Sequence, residues 1–142
     1  MQWRVAASLL HLRDQVNTKW PGRGKANDGT IGDASHASRD SDHNPWVDNG
    51  VVTALDITND PAHGVVSEDI ANAIRLSHDP RVKYIISNRK IAASYAVHGE
   101  KAWEWRPYHG ASPHDHHCHI SVLPTKSLYD STADWHFSEE GK

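Results

Sequence analysis

Sulfur is almost absent from this chain, which has one cysteine and one methionine among 142 residues. A lone thiol, Cys118, builds neither a disulfide framework nor a thiolate metal cage within one chain. Any tightly held metal must therefore rest on histidine and carboxylate. An excess of basic residues is also lacking: fifteen Lys and Arg against eighteen Asp and Glu give a formal charge of -3. A general polyanion binder carries a basic stripe that releases counterions from phosphates, so no nucleic-acid partner is expected. Long hydrophobic runs are missing as well. The apolar stretches fall far short of the ~20 residues a membrane-spanning helix needs. The N-terminal apolar stretch is broken by His11, Arg13 and Asp14 and has no clear cleavage site, so it does not read as a secretory signal. The expectation is a protein made in the cytoplasm, with any target outside it reached by another delivery route.

What is present points to a folded chain. Hydrophobic residues make up 37% and charged residues 23%, with a mean hydropathy of -0.69, polar but without the signature of disorder. This length suits one domain over residues 1–142, a core over about 20–122 and a polar tail over 125–142, expected as a monomer. Apolar residues at Val5, Leu9, Leu12 and Val16 predict an amphipathic helix over residues 4–16. Residues 21–50 are rich in Gly, Asp, Asn and Ser and too long for an ordinary connection, which makes them a candidate site loop. A β-branched run predicts a buried strand over 51–58. Ser67 is placed to cap a helix over 68–77, and Pro80 closes it. Residues 82–87 read as a strand with a turn at 88–90, and 91–97 are ambiguous between strand and short helix. An aromatic loop over 99–113 leads into a strand over 117–122. The tail is polar around Trp135 and Phe137 and reads as loosely packed or wrapping. Helices and antiparallel-looking strands without a βαβ rhythm give the α+β class, an antiparallel sheet flanked by helices.

Twelve histidines are the compositional anomaly. In a strand, side chains alternate, so His117 and His119 project from one face while His116 and Cys118 point the other way, Cys118 as a small core residue. An anion at Asp56 on an otherwise apolar strand is the other surprise, because an unpaired buried carboxylate is strongly disfavoured. A cation or a dense set of donors must compensate it. His43, Asp56 and His119 together offer two imidazole nitrogens and one carboxylate oxygen, the three-ligand layout of a catalytic zinc site with its fourth position open.

Ser41, His43, Gly50, Ala54 and Asp56 form a stretched S-x-H-x-x-G-x-A-x-D motif, followed by His117-x-His119. The ordered pair resembles the zinc peptidases of the D-Ala-D-Ala carboxypeptidase, lysostaphin and hedgehog fold group. The Ser41-Asp42-His43-Asn44-Pro45 segment and the P-H-x-x-H-x-H-I-S-V run are similar to those of its small phage and prophage endolysins. The likeness runs from about Trp20 to Val122. It implies that His43, Asp56 and His119 hold Zn2+, and that the substrate is a peptide bond in a peptidoglycan stem or cross-bridge, reached after release from the host cytoplasm. Many carboxypeptidase-type members carry an acid three residues before the last histidine ligand, where this chain has His116. The chain instead resembles the murein-endopeptidase variant His-x-x-His-x-His, as His114, His117 and His119. That variant implies His117 as the general base, with Asp115 as the competing candidate and His114 orienting it.

Arg39 and Arg89 are candidates to hold substrate carboxylates by two-pronged hydrogen bonds, and Trp105 and Tyr108 to line the groove. The competing reading of Arg39 is a solvated loop charge, and His36 reads equally as a substrate contact or a loop histidine. His11, His63, His78, His98, His109 and His136 read as surface or capping residues, and Trp3, Trp20 and Trp135 as packing. Asp42-His43-x-Pro45 also resembles the start of His-Asn-His nucleases, against which the acidic balance counts. Asp115-His116-His117 resembles DHH phosphoesterases, whose two-domain architecture the chain is too short to build. A zinc-containing binding module without catalysis is the third rival.

Overall fold

The computed structural model describes residues 3–25, 28–29, 43–45, 47–48, 50–97, 99–108 and 116–137. The first described element is a short strand, β1 (Arg4–Val5), where the periodicity suggests the start of a helix. Arg4 N–H donates to the Gly50 carbonyl and Ala6 N–H to that of Val52, drawing the first residues into a parallel pair with β2 (Val51–Val52). Helix α1 (Ala7–Lys19) starts only after this pairing and buries Leu9, Leu12 and Val16 along one stripe. The Ala7 N–H at its start donates to the Asp130 carboxylate, an anion where the helix dipole favours one.

The expected strand over 51–58 breaks at Thr53, whose carbonyl accepts from Val122 N–H. After it, β3 (Ala54–Thr58) joins a different sheet. A single 3-10 turn (Pro61–His63) leads to α2 (Ser67–Ser77). Ser67 is the first residue of this helix and not its cap, since the Asn59 side chain accepts from Ser67 N–H. Strands β4 (Val82–Ser87) and β5 (Lys90–Ala93) form a hairpin, so the ambiguous stretch begins as strand. Both turn residues, Asn88 and Arg89, have positive φ (48° and 67°), the backbone that a two-residue hairpin turn requires. A further short strand, β6 (Arg106–Pro107), lies within the aromatic loop, β7 (His117–Val122) follows, and a one-turn helix, α3 (Lys126–Tyr129), interrupts the tail.

The five-stranded sheet runs β3-β7-β4-β5-β6, every neighbouring pair antiparallel. With α1 and α2 this makes an α+β fold. Leu55, Ile57, Cys118, Ile120 and Ile85 join Ile70 and Ile74 of α2 and Leu9, Leu12 and Val16 of α1 in one core. Cys118 is fully buried there, and burial pushes its thiol up, so it sits as a small apolar residue. By alternation the opposite face of the sheet carries Ala54, Asp56 and Thr58 on β3, and His117, His119 and Ser121 on β7.

The tail up to Phe137 is anchored, not loose. Arg81, itself buried, donates to the carbonyls of Ser131 and Ala133 and lies 3.9 Å from the centroid of the Trp135 ring. Trp135 in turn donates its indole N–H to the Ser8 carbonyl, and Gln15 accepts from its backbone N–H. Among the described residues no helix is long and apolar enough to cross a membrane.

Candidate metal centre

Strand register builds the centre. Asp56 lies directly opposite His119 in the β3–β7 pair, and Thr58 lies opposite His117. Leu55 and Ile57 turn into the core on either side, which explains an anion inside an apolar run: the two kinds of residue occupy different faces. His43 reaches the same place from its loop, with its ring edge-on to that of His119 at a centroid distance of 4.9 Å.

The carboxylate sits between imidazoles. Asp56 Oδ2 is 3.2 Å from His43 Nε2, and Oδ1 is 3.1 Å from His119 Nδ1. Both histidines are buried, at 4% and 3% exposure, while Asp56 is partly open. Burial works against the Asp56 charge, but hydrogen bonds from His119 and His43 outweigh it and hold the carboxyl well below the usual carboxylate range. The group stays anionic across the physiological range.

Two imidazoles and a carboxylate also form a donor set for a divalent ion. One ligand atom from each of the three residues lies within 4.8 Å of the others. Donors held at about 2.0–2.2 Å around a tetrahedral ion stand roughly 3.4 Å apart, and each imidazole nitrogen lies near that distance from one of the two Asp56 oxygens, His43 from Oδ2 and His119 from Oδ1. The residues therefore fit a metal ion, and the three brought together are those singled out in the sequence.

His117 stands beside them, its Nε2 3.6 Å from Asp56 Oδ2 and its side chain 17% exposed. Partial burial lowers its pKa below the ordinary histidine value, against the pull of Asp56 and with the help of neighbouring His119, His43 and His116. The ring is therefore neutral at neutral pH and able to accept a proton.

Two further neighbours complete the surroundings of His119. Ser121 Oγ lies 2.7 Å from His119 Nε2, and Tyr84 stacks on the His119 ring at 5.4 Å and 8°. A serine two residues beyond a strand histidine was the available signal for the first. No sequence signal marked Tyr84, because it depends on a bulge: Val82 pairs with Val122, yet Tyr84 pairs with Ser121. The extra residue, Lys83, shifts Tyr84 onto the face of His119 instead of the core face that Val82 occupies.

An ion pair between a buried Arg23 and a partly buried Asp28 backs the centre. Asp28 accepts from both terminal guanidinium nitrogens of Arg23 and from the backbone N–H and hydroxyl of Thr58. Gly29, next in the chain, exchanges backbone hydrogen bonds with Asp56 and so covers that part of the β3 edge.

The candidate substrate residues are placed less tellingly. Arg89 is exposed in the β4–β5 turn, where its carbonyl accepts from Tyr108 N–H. Trp105 packs on α2, donating to Asn72 Oδ1 with Arg75 over its ring, a helix on the sheet face opposite Asp56. Arg39, His114 and Asp115 lie outside the described residues, as do His36, His98 and His109. Of the histidines read as incidental, His11 pairs with Asp134, His63 pairs with Asp60, and His78 stacks on Trp103.

Comparisons with protein-family models, curated proteins and solved structures return no match to this chain.

Proposed function

We propose that this chain is a zinc-dependent peptidase acting on the peptides of bacterial peptidoglycan. The observation that carries the reading is Asp56 held between His43 and His119, with His117 alongside on the same sheet face. Cysteine takes no part, so the donor set is nitrogen and oxygen, the kind found in catalytic zinc sites with three protein ligands. When bound, zinc acts as a Lewis acid that polarises a carbonyl and makes water a nucleophile near neutral pH.

The remaining work falls to the chain. His43, Asp56 and His119 hold the ion, and Asp56 supplies the negative charge that favours a dication over a bare cluster of imidazoles. His117 Nε2, neutral and partly open, accepts a proton from the attacking water and returns it to the leaving amine. The peptidoglycan substrate rests on the resemblance of the Ser41–Asp56 and His114–His119 motifs to cell-wall zinc peptidases. Such a substrate lies outside the cytoplasmic membrane, so the enzyme acts after release from the host cytoplasm.

Incubation with purified peptidoglycan and with duplex DNA, each with and without a chelator, tests the reading. New free amino groups from the wall, lost with chelator and restored by zinc, are expected. Nicked DNA would instead indicate a metal-dependent nuclease, and an unchanged pair of substrates a zinc-containing binding module. Mass spectrometry of the released muropeptides then identifies the bond cleaved.

A further inference from the structure

We infer that Ser121 and Tyr84 are positioning residues that fix the His119 ring with Nδ1 as its metal-facing nitrogen. The inference rests on the metal-site reading above. An imidazole in a strand has two freedoms that matter to a metal: the tilt of its plane, and a half-turn about the Cβ–Cγ bond that exchanges nitrogen for carbon at each ring position.

Each freedom is removed by a different neighbour. Tyr84 lies nearly parallel to His119, 8° between planes at 5.4 Å, while His43 meets it edge-on at 81°, so the tilt is set from two sides. Stacking alone tolerates the half-turn. Ser121 does not, because its Oγ lies 2.7 Å from Nε2, and a flipped ring would present a carbon there and lose the hydrogen bond. Ser121 is fully buried, so water offers no substitute partner. With Nε2 held by Ser121, the nitrogen left facing Asp56 is Nδ1, 3.1 Å from Oδ1.

A hydroxyl suits the position chemically. It accepts from an Nε2–H, which leaves the Nδ1 lone pair for a metal, and it donates when Nδ1 instead carries the proton toward Asp56. A carboxylate or carbonyl at the same place would serve only the first state. The bulge at Lys83 belongs to the same device, since it brings Tyr84 opposite Ser121.

Cobalt(II) titration of the metal-free chain provides the test, read by affinity and by the visible absorption that reports coordination geometry. Wild type is expected to bind cobalt with a tetrahedral-type spectrum. Ser121→Ala should bind roughly 10–100-fold more weakly, the usual cost of losing a partner of a ligating histidine, with an altered spectrum and, because a buried Nε2 loses its partner, a lowered melting temperature without metal. Ser121→Thr, which keeps the hydroxyl, should recover the affinity. Tyr84→Phe should match wild type, and Tyr84→Leu should weaken binding. Wild-type affinity and spectrum in Ser121→Ala, or no recovery in a folded Ser121→Thr, would overturn the inference and leave the metal site standing. Should Ser121→Ala not fold, unchanged cobalt binding by Tyr84→Leu overturns it equally. A wild-type chain that takes up no cobalt overturns the metal-site reading and the inference with it.

Discussion

Replacing Asp28 by alanine should be among the most damaging single changes outside the centre. Its carboxylate accepts from Arg23 Nη1 and Nη2 at 3.0 and 2.7 Å, and from the N–H and Oγ1 of Thr58 at 2.9 and 2.7 Å. The Arg23 side chain is 0% exposed and that of Asp28 14%. Asp28→Ala thus leaves a buried guanidinium without its counter-charge, which typically costs about 3–5 kcal/mol. Arg23 keeps its bonds to Asn17 and to the Gly24 carbonyl, so the loss belongs near the lower end of that range. With an unfolding entropy of about 0.3 kcal/mol/K for a chain of this length, the melting temperature should fall by about 10 °C. Thermal unfolding followed by circular dichroism measures this. The reasoning also requires recovery: Arg23→Met combined with Asp28→Leu should regain the part of the loss that comes from the unpaired guanidinium, because an ion pair is often matched by apolar residues of similar volume, while the Thr58 donors stay without Asp28. A fall of less than about 3 °C for Asp28→Ala, or a double variant less stable than the single one, would refute it.

The same carboxylate sets an acid limit. Burial raises the Asp28 pKa, but hydrogen bonds from Arg23 and Thr58 prevail and hold it below the ordinary value. A depressed folded-state pKa means that the stabilisation is complete above the unfolded value of about 4 and disappears as pH falls through the folded one. The melting temperature should therefore drop below about pH 4, and the drop should be shallower in Asp28→Asn. Trp135→Ala should cost about 3–5 kcal/mol, as expected for a large buried aromatic; a change under 1 kcal/mol in urea unfolding would mean that the tail is not anchored as described. His117→Ala should retain metal yet lose peptidoglycan turnover, and full activity in this variant would move the base elsewhere.

The parts of the structure legible in the sequence are those set by local pattern. Helix α2 follows from acidic residues in its first turn and apolar residues at Ile70, Ala73 and Ile74, although Ala71 and not Ala73 is buried beside the two isoleucines, and β4 and β7 follow from their β-branched or alternating runs. The break between β1 and α1 was hidden because it depends on carbonyls of Gly50 and Val52 and on the carboxylate of Asp130, all distant in sequence. The anchoring of the tail by Arg81 and Gln15 is hidden for the same reason. Within the centre, Asp56 betrayed itself as a charge in an apolar strand, and His117 and His119 by their two-residue spacing. Tyr84 did not, since period-two counting across a bulge assigns the wrong face. The Arg23–Asp28 pair gave no sign either, because a basic and an acidic residue five apart in a polar segment look like solvated charges.

Metal content of the purified chain tests the central claim most directly. After equilibration with zinc and removal of the unbound ion, elemental analysis of wild type should find one zinc per chain. Asp56→Ala, which removes the only carboxylate of the His43–Asp56–His119 group, should retain almost none. Stoichiometric zinc in Asp56→Ala, or none in wild type, would contradict a metal centre built on these three residues.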